Sequence, residues 1–355
     1  MDRLRINWLL LPLSGLYGVI ILFRNWLFNS HLVTSTRPAV YTISVGNLTV
    51  GGTGKTPMVE FLIKRYTSDE SLAGQGAVAT LSRGYGRQTT GFRIATDVDT
   101  AATVGDEPLQ LYRKFSPFVR VCVGERRVAA IKQLLELHPE TKVILLDDAY
   151  QHRAVQPHLN LLLTDHHRLF YNDFPFPAGR LREFRTGARR ADAVVVTKCP
   201  TDLPIAKQQQ VAHRIQAYTR PQTPIFFAGL QYEKPVSFAT RQPTANLHSV
   251  LLVSGLANAD PLEAYVRQMF LLHQHKRYAD HYVYTRADLT SLLADLPTGA
   301  GLLTTEKDWV KLDALLTPPE RSTWPLYYLP VVVQFLPNHE SAFTEFLTEQ
   351  DYKNR

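Results

Sequence analysis

The sequence has very little cysteine and no cysteine arrangement that would bind a metal. Its 355 residues include two cysteines, Cys122 and Cys199, which are far apart and belong to no CxxC pair or Cys/His cluster. They predict neither a zinc site nor a disulfide framework, and they favour a reducing cytosol. Internal repeats, low-complexity tracts and recognised nucleic-acid-binding motifs are lacking as well.

The composition indicates a globular chain with an excess of positive charge. Hydrophobic residues make up 45% of the sequence, enough to build one large domain or two smaller ones. The net charge of +7 favours an anionic partner, which could be nucleic acid, a phosphorylated substrate or an acidic lipid headgroup. Because no nucleic-acid motif accompanies the charge, no nucleic acid partner is expected.

A nearly unbroken apolar run extends from Trp8 to Phe23, with Arg3 and Arg5 before it and Arg24 after it. The run is about 16 residues, shorter than the roughly 20 that span a bilayer as a helix. A secretory signal would need a small-residue cleavage site after the apolar core, and none follows. We therefore predict a hydrophobic membrane-associating helix within residues 1–33, embedded in the membrane or lying at its interface. The alternative is a buried helix of a soluble core.

From residue 39 onward, strand-like runs alternate with helical patterns, which is typical of an α/β fold with a parallel sheet. At least five strands are expected before residue 200: Ala39 to Val45, Phe118 to Val123, Val143 to Leu146, Leu159 to Leu163 and Ala193 to Thr197. The pattern predicts a P-loop NTPase-like domain with helices on both faces, over residues 34–225. A proline-rich stretch places a boundary near 225, and residues 226–355 are expected to form a smaller α/β domain that closes over the cleft.

A glycine-rich segment follows the first predicted strand. Residues 49–56 match GxxxxGK[ST] except that Thr49 replaces the first glycine. Residues of this loop are expected to contact nucleotide phosphates, which gives the predicted set Thr49, Gly51, Gly52, Thr53, Gly54, Lys55 and Thr56. The glycines let backbone N–H groups approach phosphate oxygens, Lys55 reaches the β- and γ-phosphates, and Thr56 is expected to bind Mg²⁺. The alternative is a glycine-rich turn without a ligand.

Two further patterns support a phosphate-handling site. Asp147 and Asp148 follow an apolar strand directly, at the sheet edge where parallel sheets bind ligands, so they are candidate magnesium ligands. Residues 180–190 contain five arginines and one glutamate, and guanidinium groups bind phosphate bidentately. For Asp147 and Asp148, the alternative is a pair of acidic residues that end a strand without binding a ligand. For residues 180–190, the alternative is a solvated basic turn.

A series of short motifs continues along the chain. In order they are Ser82-Arg83-Gly84-Tyr85-Gly86, Gly105-Asp106-Glu107-Pro108, Asp147-Asp148 with Gln151-His152, Pro177-Ala178-Gly179 with Arg182-Glu183, Ala279-Asp280-His281 and Thr305-Glu306-Lys307-Asp308. Together with the longer glycine loop, Val45 to Pro57, this series resembles the tetraacyldisaccharide 4′-kinases of lipid A synthesis. That family accepts threonine at the position of Thr49.

The resemblance implies an ATP- and Mg²⁺-dependent enzyme at the cytoplasmic face of the inner membrane. Such an enzyme phosphorylates the 4′-hydroxyl of an acylated glucosamine disaccharide 1-phosphate to give lipid IVA, and we expect it to act as a monomer. The implied catalytic base is Asp106, assisted by His281. The resemblance further implies that Asp147, Asp148 and Glu183 organise the metal, and that Arg127, Gln151, His152 and Arg182 belong to the nucleotide site.

Two other functions remain open from the residues alone. A P-loop switch ATPase or GTPase would use a similar loop, but partitioning ATPases carry a lysine where this chain has Val50. The guanine-specific NKxD motif has only a partial counterpart at Val196 to Cys199. A non-enzymatic nucleotide-binding adaptor would leave Asp106 and His281 unexplained.

Overall fold

The computed structural model describes residues 7–72 and 76–354. Arg3 and Arg5, the predicted basic flank of the first helix, lie outside the described residues. The helices are α1 (Leu11–Asn29), α2 (Lys55–Thr67), α3 (Ala101–Val104), α4 (Asp106–Phe115), α5 (Arg127–Leu137), α6 (Ile205–Gln216), α7 (Asp260–Met269), α8 (Arg286–Ala294), α9 (Glu306–Asp313), α10 (Pro318–Thr323) and α11 (His339–Asn354). The strands are β1 (Tyr41–Asn47), β2 (Val78–Ser82), β3 (Arg93–Ile94), β4 (Val119–Val123), β5 (Val143–Asp147), β6 (Leu159–Asp165), β7 (Ala193–Thr197), β8 (Ile225–Tyr232), β9 (Val236–Ser237), β10 (Ser249–Ser254), β11 (Leu271–Arg277), β12 (Gly301–Thr305), β13 (Leu326–Leu329) and β14 (Val331–Phe335).

Within the described residues, the larger sheet has nine strands in the order β14-β8-β7-β6-β1-β5-β2-β4-β3. Its strands are parallel except for β14 and β3 at the two edges. Alternate residues of β5 face opposite sides: Leu145 lies in one buried cluster with Ile63 of α2, and Leu146 lies in another with Ile131 of α5. Helices therefore cover both faces, which explains why the strands are continuously apolar. The predicted α/β fold class is confirmed.

The smaller sheet has the order β11-β10-β12-β13-β9 among the described residues, with β9 antiparallel to β13. The predicted boundary at residue 225 does not coincide with the edge of the larger sheet. Strand β8 begins at Ile225 and pairs with β7, and β14 returns from the smaller sheet to pair with β8. Phe343 of α11 packs against Phe226 of β8. The carboxyl-terminal segment thus completes the larger sheet. The proline-rich stretch near residue 225 gives no indication of this long-range pairing.

Helix α1 exposes most of its apolar side chains. Leu16, Phe23 and Trp26 are each more than half exposed, whereas the buried positions of the helix are Ser14 and Gly18. The ring of Phe184 occupies the space beside Gly18, where a Cβ atom would clash. The segment Trp8–Asn29 is also long and apolar enough to cross a membrane. The helix is therefore not a buried helix of a soluble core.

Candidate functional site

The glycine loop lies between β1 and α2, and α2 begins at Lys55. Positive φ angles at Gly51 (113°) and Gly54 (77°) explain the glycines there, since other residues rarely adopt them. A side chain at Gly51 would project into open space, as expected for a loop that faces a ligand. The backbone N–H groups of the loop and the amino end of α2 therefore form an anion-binding arrangement.

Two neighbouring segments hold this loop in place. Thr197, at the end of β7, donates a hydrogen bond from its hydroxyl to the Thr53 carbonyl at 2.9 Å. The Asn47 amide donates to the Thr53 hydroxyl at 2.7 Å. Thr49 pairs with Leu181 through an isolated β-bridge, which fixes the other side of the loop. These three contacts hold the loop in shape.

The two aspartates at the end of β5 lie beside the loop and have different electrostatic environments. Asp148 forms an ion pair with Lys55 at 3.7 Å and accepts two hydrogen bonds from Arg182 at 2.8 and 3.0 Å. Burial opposes ionisation of Asp148, but Lys55 and Arg182 hold its pKa below the ordinary value. Burial, and secondly the charge of Glu107, raise the pKa of Asp147 to about 7, against the opposing effect of Lys55. A cation bound beside Asp147 would lower this pKa and favour the ionised carboxylate.

The site fits Mg²⁺ as part of a nucleotide complex. The Oδ1 atom of Asp147 is buried and has no hydrogen-bond partner in the described part of the chain, which makes it available as a ligand. Thr56, at the second position of α2, lies next to Lys55 on the same turn. No group of three or more His, Cys, Asp or Glu residues that could hold a metal is found in residues 7–72 and 76–354. Mg²⁺ usually keeps waters and is bound by one or two carboxylates plus substrate phosphates, so the Asp147 carboxylate and the Thr56 hydroxyl suit this ion.

Glu183 has a different environment from the one expected of a magnesium ligand. Its two carboxylate oxygens accept hydrogen bonds from Arg190 at 2.6 and 2.9 Å, from the Gln151 amide at 3.0 Å and from the Asn25 amide at 3.0 Å. Four protein donors already satisfy this buried carboxylate. Glu183 therefore also anchors α1, through Asn25, and its role as a metal ligand stays a prediction.

The remaining predicted nucleotide residues are divided between two places. Arg182 and Gln151 are in contact, with Nη1 of Arg182 3.4 Å from Oε1 of Gln151, beside Asp148. Arg127 is buried at the start of α5, where burial lowers its pKa to about 10 against the opposing charges of Asp147 and Asp148. His152 instead lines a separate cleft near the end of α1. Burial, and then the nearby arginines, lower its pKa to about 4, so its ring is neutral at pH 7.

Asp106 and His281 come together across the two sheets. The Nδ1 atom of His281 lies 3.2 Å from Oδ2 of Asp106, and the His281 ring packs against Tyr85 at 5.3 Å between centroids. Asp106 is the first residue of α4, after Gly105 with a φ of 95°. The neighbour of Asp106, Glu107, is the strongest charge raising the pKa of Asp147. The Asp106–His281 pair therefore lies close to the predicted phosphate and metal site.

Two lysines of α9 extend this pair, and sequence analysis did not place them in the site. Lys307 lies 3.1 Å from Nε2 of His281 and 2.7 Å from Asp280. Lys311 lies 3.7 Å from Asp106. The signal was present, since Lys307 belongs to the motif Thr305-Glu306-Lys307-Asp308. The same motif also has a local structural role, since Thr305 caps α9 by accepting a hydrogen bond from the backbone N–H of Asp308.

A strand–glycine loop–helix unit, with carboxylates at the end of the adjacent parallel strand, defines a P-loop nucleotide-binding protein of the α/β class. The family model for Tetraacyldisaccharide-1-P 4'-kinase matches residues 6–350. The chain belongs to this family, and the resemblance inferred from its motifs is confirmed.

Relatives and a solved structure are similar to this chain along nearly its whole length. The tetraacyldisaccharide 4'-kinase of Cytophaga hutchinsonii is 40% identical over 335 residues, covering 92% of this chain and 90% of that protein. The tetraacyldisaccharide 4'-kinase of Porphyromonas gingivalis is 37% identical over 359 residues and covers 98% of both. The crystal structure of LpxK from Aquifex aeolicus in complex with ATP superposes with a TM-score of 0.74 at 28% identity, covering 97% of this chain and 98% of that one.

Proposed function

We propose that the protein is an ATP- and Mg²⁺-dependent lipid kinase that transfers the γ-phosphate to the 4′-hydroxyl of a tetraacylated glucosamine disaccharide 1-phosphate, forming lipid IVA. Its family membership supports the reaction and the substrate. The observation that carries the assignment of the site is the proximity of two groups. Asp148, which pairs with Lys55, follows Asp147 in the chain, and Glu107, which follows Asp106, is the strongest charge that raises the pKa of Asp147.

Each group has a distinct role in this proposal. The loop N–H groups, Lys55 and Arg182 bind the phosphates of ATP and neutralise their charge. Asp147 and Thr56 would hold Mg²⁺, which supplies charge neutralisation at the β- and γ-phosphates when bound. Asp148 keeps Lys55 and Arg182 positioned before the nucleotide arrives, since it contacts both.

The acceptor side depends on Asp106. Its carboxylate accepts the proton of the 4′-hydroxyl as that oxygen bonds to the γ-phosphorus, and ADP leaves as the bond to the β-phosphate oxygen breaks. His281 orients the carboxylate through the 3.2 Å contact. Asp106 belongs to the larger sheet domain and His281 to the smaller one, so the pair depends on the packing of the two domains against each other, as in this structure.

The membrane is the second part of the proposal. We infer that α1 lies in the inner membrane from its cytoplasmic face, and that the enzyme acts as a monomer. Support for the membrane contact comes from the exposed apolar side chains of α1 and from the exposed Phe176, whose ring packs edge-on against Tyr17 of the helix. Asn25 of α1 donates a hydrogen bond to Glu183, which also forms an ion pair with Arg190. These contacts join the helix to the segment that follows Arg182, so a membrane-bound lipid would be presented near the phosphate site.

Transfer of labelled phosphate from ATP to purified disaccharide 1-phosphate in detergent micelles tests this function. Label on the lipid is expected, and label released only as free phosphate would identify a switch ATPase instead. Lys55→Ala should reduce transfer by about 10²–10³-fold, because it removes a donor that stabilises transition-state charge. Lys64→Ala, at an exposed position of the same helix, is the matched control and should retain activity.

A further inference from the structure

A cleft of about 680 Å³ lies at the carboxyl-terminal end of α1, apart from the Asp106–His281 pair and the glycine loop. Its walls are the last turn of α1, the extended segment that follows it and the loop after β5. Of the predicted nucleotide residues, only His152 lines the described walls of this cleft. Its volume is in the range of pockets that bind small molecules.

The cleft is strongly cationic. The charged residues among its described lining are Arg37, Arg153, Arg190, Arg220 and Asp192. Arg220 is neutralised by Asp192 at 2.5 Å, and Arg190 by a carboxylate outside the cleft at 2.6 Å. Arg37 and Arg153 form no ion pair in the part of the chain that the structure describes. The cleft therefore carries two uncompensated guanidinium charges.

Packing holds one of these two arginines in place. Arg153 donates a hydrogen bond to the Asn29 side chain at 2.8 Å and lies over the ring of Phe28, 5.5 Å from its centroid. A guanidinium group held in place by packing is suited to an anion, because guanidinium groups bind phosphate through paired hydrogen bonds.

The cleft adjoins the apolar face of α1. Trp26, Leu32 and Val33 are exposed beside the residues that form its wall. If α1 lies in the bilayer, as the proposed function states, the mouth of the cleft falls at the level of the lipid headgroups. We propose that this cleft binds the phosphate headgroup of an anionic bilayer lipid, held chiefly by Arg37 and Arg153. The inference rests on the membrane contact of α1 and adds a lipid-binding site distinct from the site of phosphoryl transfer.

Flotation of the full-length protein with vesicles tests the proposal. One set of vesicles is phosphatidylcholine alone, and the other is phosphatidylcholine mixed with phosphatidylglycerol. We expect the wild type to prefer the anionic vesicles. Arg37→Gln/Arg153→Gln should lower that preference by about twenty-five-fold, from about fivefold per arginine. Binding to phosphatidylcholine alone should not change, because it reports the apolar face of α1. Transfer to substrate in micelles should also persist, which verifies folding.

Two further variants separate a shaped site from diffuse charge. Lys132→Gln/Lys207→Gln removes the same charge from helices outside the cleft and should leave the preference intact. Arg37→Lys/Arg153→Lys keeps the charge but loses paired hydrogen bonding, so it should lose part of the preference. The proposal would be overturned if Arg37→Gln/Arg153→Gln kept the wild-type preference. It would also be overturned if Lys132→Gln/Lys207→Gln lost as much of the preference as Arg37→Gln/Arg153→Gln.

The source of the phosphate is tested separately with soluble glycerol 3-phosphate. Glycerol 3-phosphate should compete only at high concentration with a lipid site. If it released the protein from anionic vesicles at concentrations well below that of the lipid phosphate, the ligand would be a soluble phosphate and the lipid assignment would be overturned. If the wild-type protein bound neither kind of vesicle but still phosphorylated lipid in micelles, the result would instead contradict the membrane role of α1.

Discussion

His281 Nε2 lies 3.1 Å from the ammonium group of Lys307, while its Nδ1 lies 3.2 Å from Asp106. An ammonium group has no acceptor, so Nε2 must accept and the ring proton must be on Nδ1, facing Asp106. Lys307 therefore selects the tautomer in which His281 donates to the proposed base. The histidine supports the carboxylate and does not compete with it for the substrate proton.

This relationship predicts the effect of removing the lysine. Lys307→Met should lower kcat by about one order of magnitude, since a hydrogen bond worth about 1–2 kcal/mol to the partly exposed His281 ring is lost. The KM for ATP should change little, because Lys307 contacts His281 and Asp280. Lys307→Arg should restore part of the rate by donating again to Nε2. Steady-state kinetics of both variants checks this, and a loss confined to the KM for ATP would contradict it.

The Asp106–His281 contact predicts non-additive kinetics. Asp106→Ala should lower kcat by about 10²–10⁴-fold, the usual cost of losing a general base, with little change in ATP binding. His281→Ala should lower kcat less. The double variant should be less impaired than the product of the two losses, because the pair acts as a unit. Fully multiplicative losses would show that the two residues act independently.

The exposed face of α1 predicts membrane binding. Leu16→Glu/Phe23→Glu should reduce partitioning into phosphatidylcholine vesicles by more than about tenfold, because two apolar side chains worth about 1.5–3 kcal/mol each are lost from the contact. Both positions are at least 60% exposed, so folding should be unaffected. Val98→Glu/Leu137→Glu, at exposed apolar positions on the other parts of the surface, is the control. Equal vesicle binding by all three proteins would argue against the membrane role.

An ionic cluster between the two sheets predicts how stability depends on pH. Glu306 of α9 and Glu60 of α2 are both buried and share the ammonium group of Lys114. Burial, and then the charge of Glu60, raise the pKa of Glu306 above its ordinary value, although Lys114 opposes this. The folded state therefore binds the proton of Glu306 more tightly than the unfolded state does. Its contribution to stability is fully present below the unfolded pKa and is lost as pH rises through the folded pKa.

Melting temperatures between pH 5 and pH 8 check this sign. Glu306→Gln cannot ionise but can still accept from Lys114, so its melting temperature relative to wild type should rise with pH. Glu136→Gln, an exposed residue in an i,i+4 pair on α5, should follow the wild type at every pH. Parallel curves for wild type and Glu306→Gln would show that Glu306 has an ordinary pKa in the folded protein.

Local patterns of the sequence determined the fold class and the phosphate loop. The strands β1 and β5 are continuously apolar because both of their faces are covered, and glycines at 51 and 54 are required by positive φ angles. Each of these features depends on a short stretch of chain, so spacing and residue type suffice to find it. The apolar run of α1 is equally local, and so is the pair Asp147-Asp148 that follows β5.

Only the tertiary structure decided which distant groups meet. Asp106 and His281 are 175 residues apart, and the return of β14 to β8 places the carboxyl-terminal segment in the larger sheet. Glu183, for which the family resemblance implies a metal role, accepts hydrogen bonds from four protein donors, one of them from α1. The pattern around a residue records its local conformation and the face it buries. Its partner across the fold depends on how whole elements pack, and that packing brings Lys307, Arg37 and Arg153 to the positions where they act.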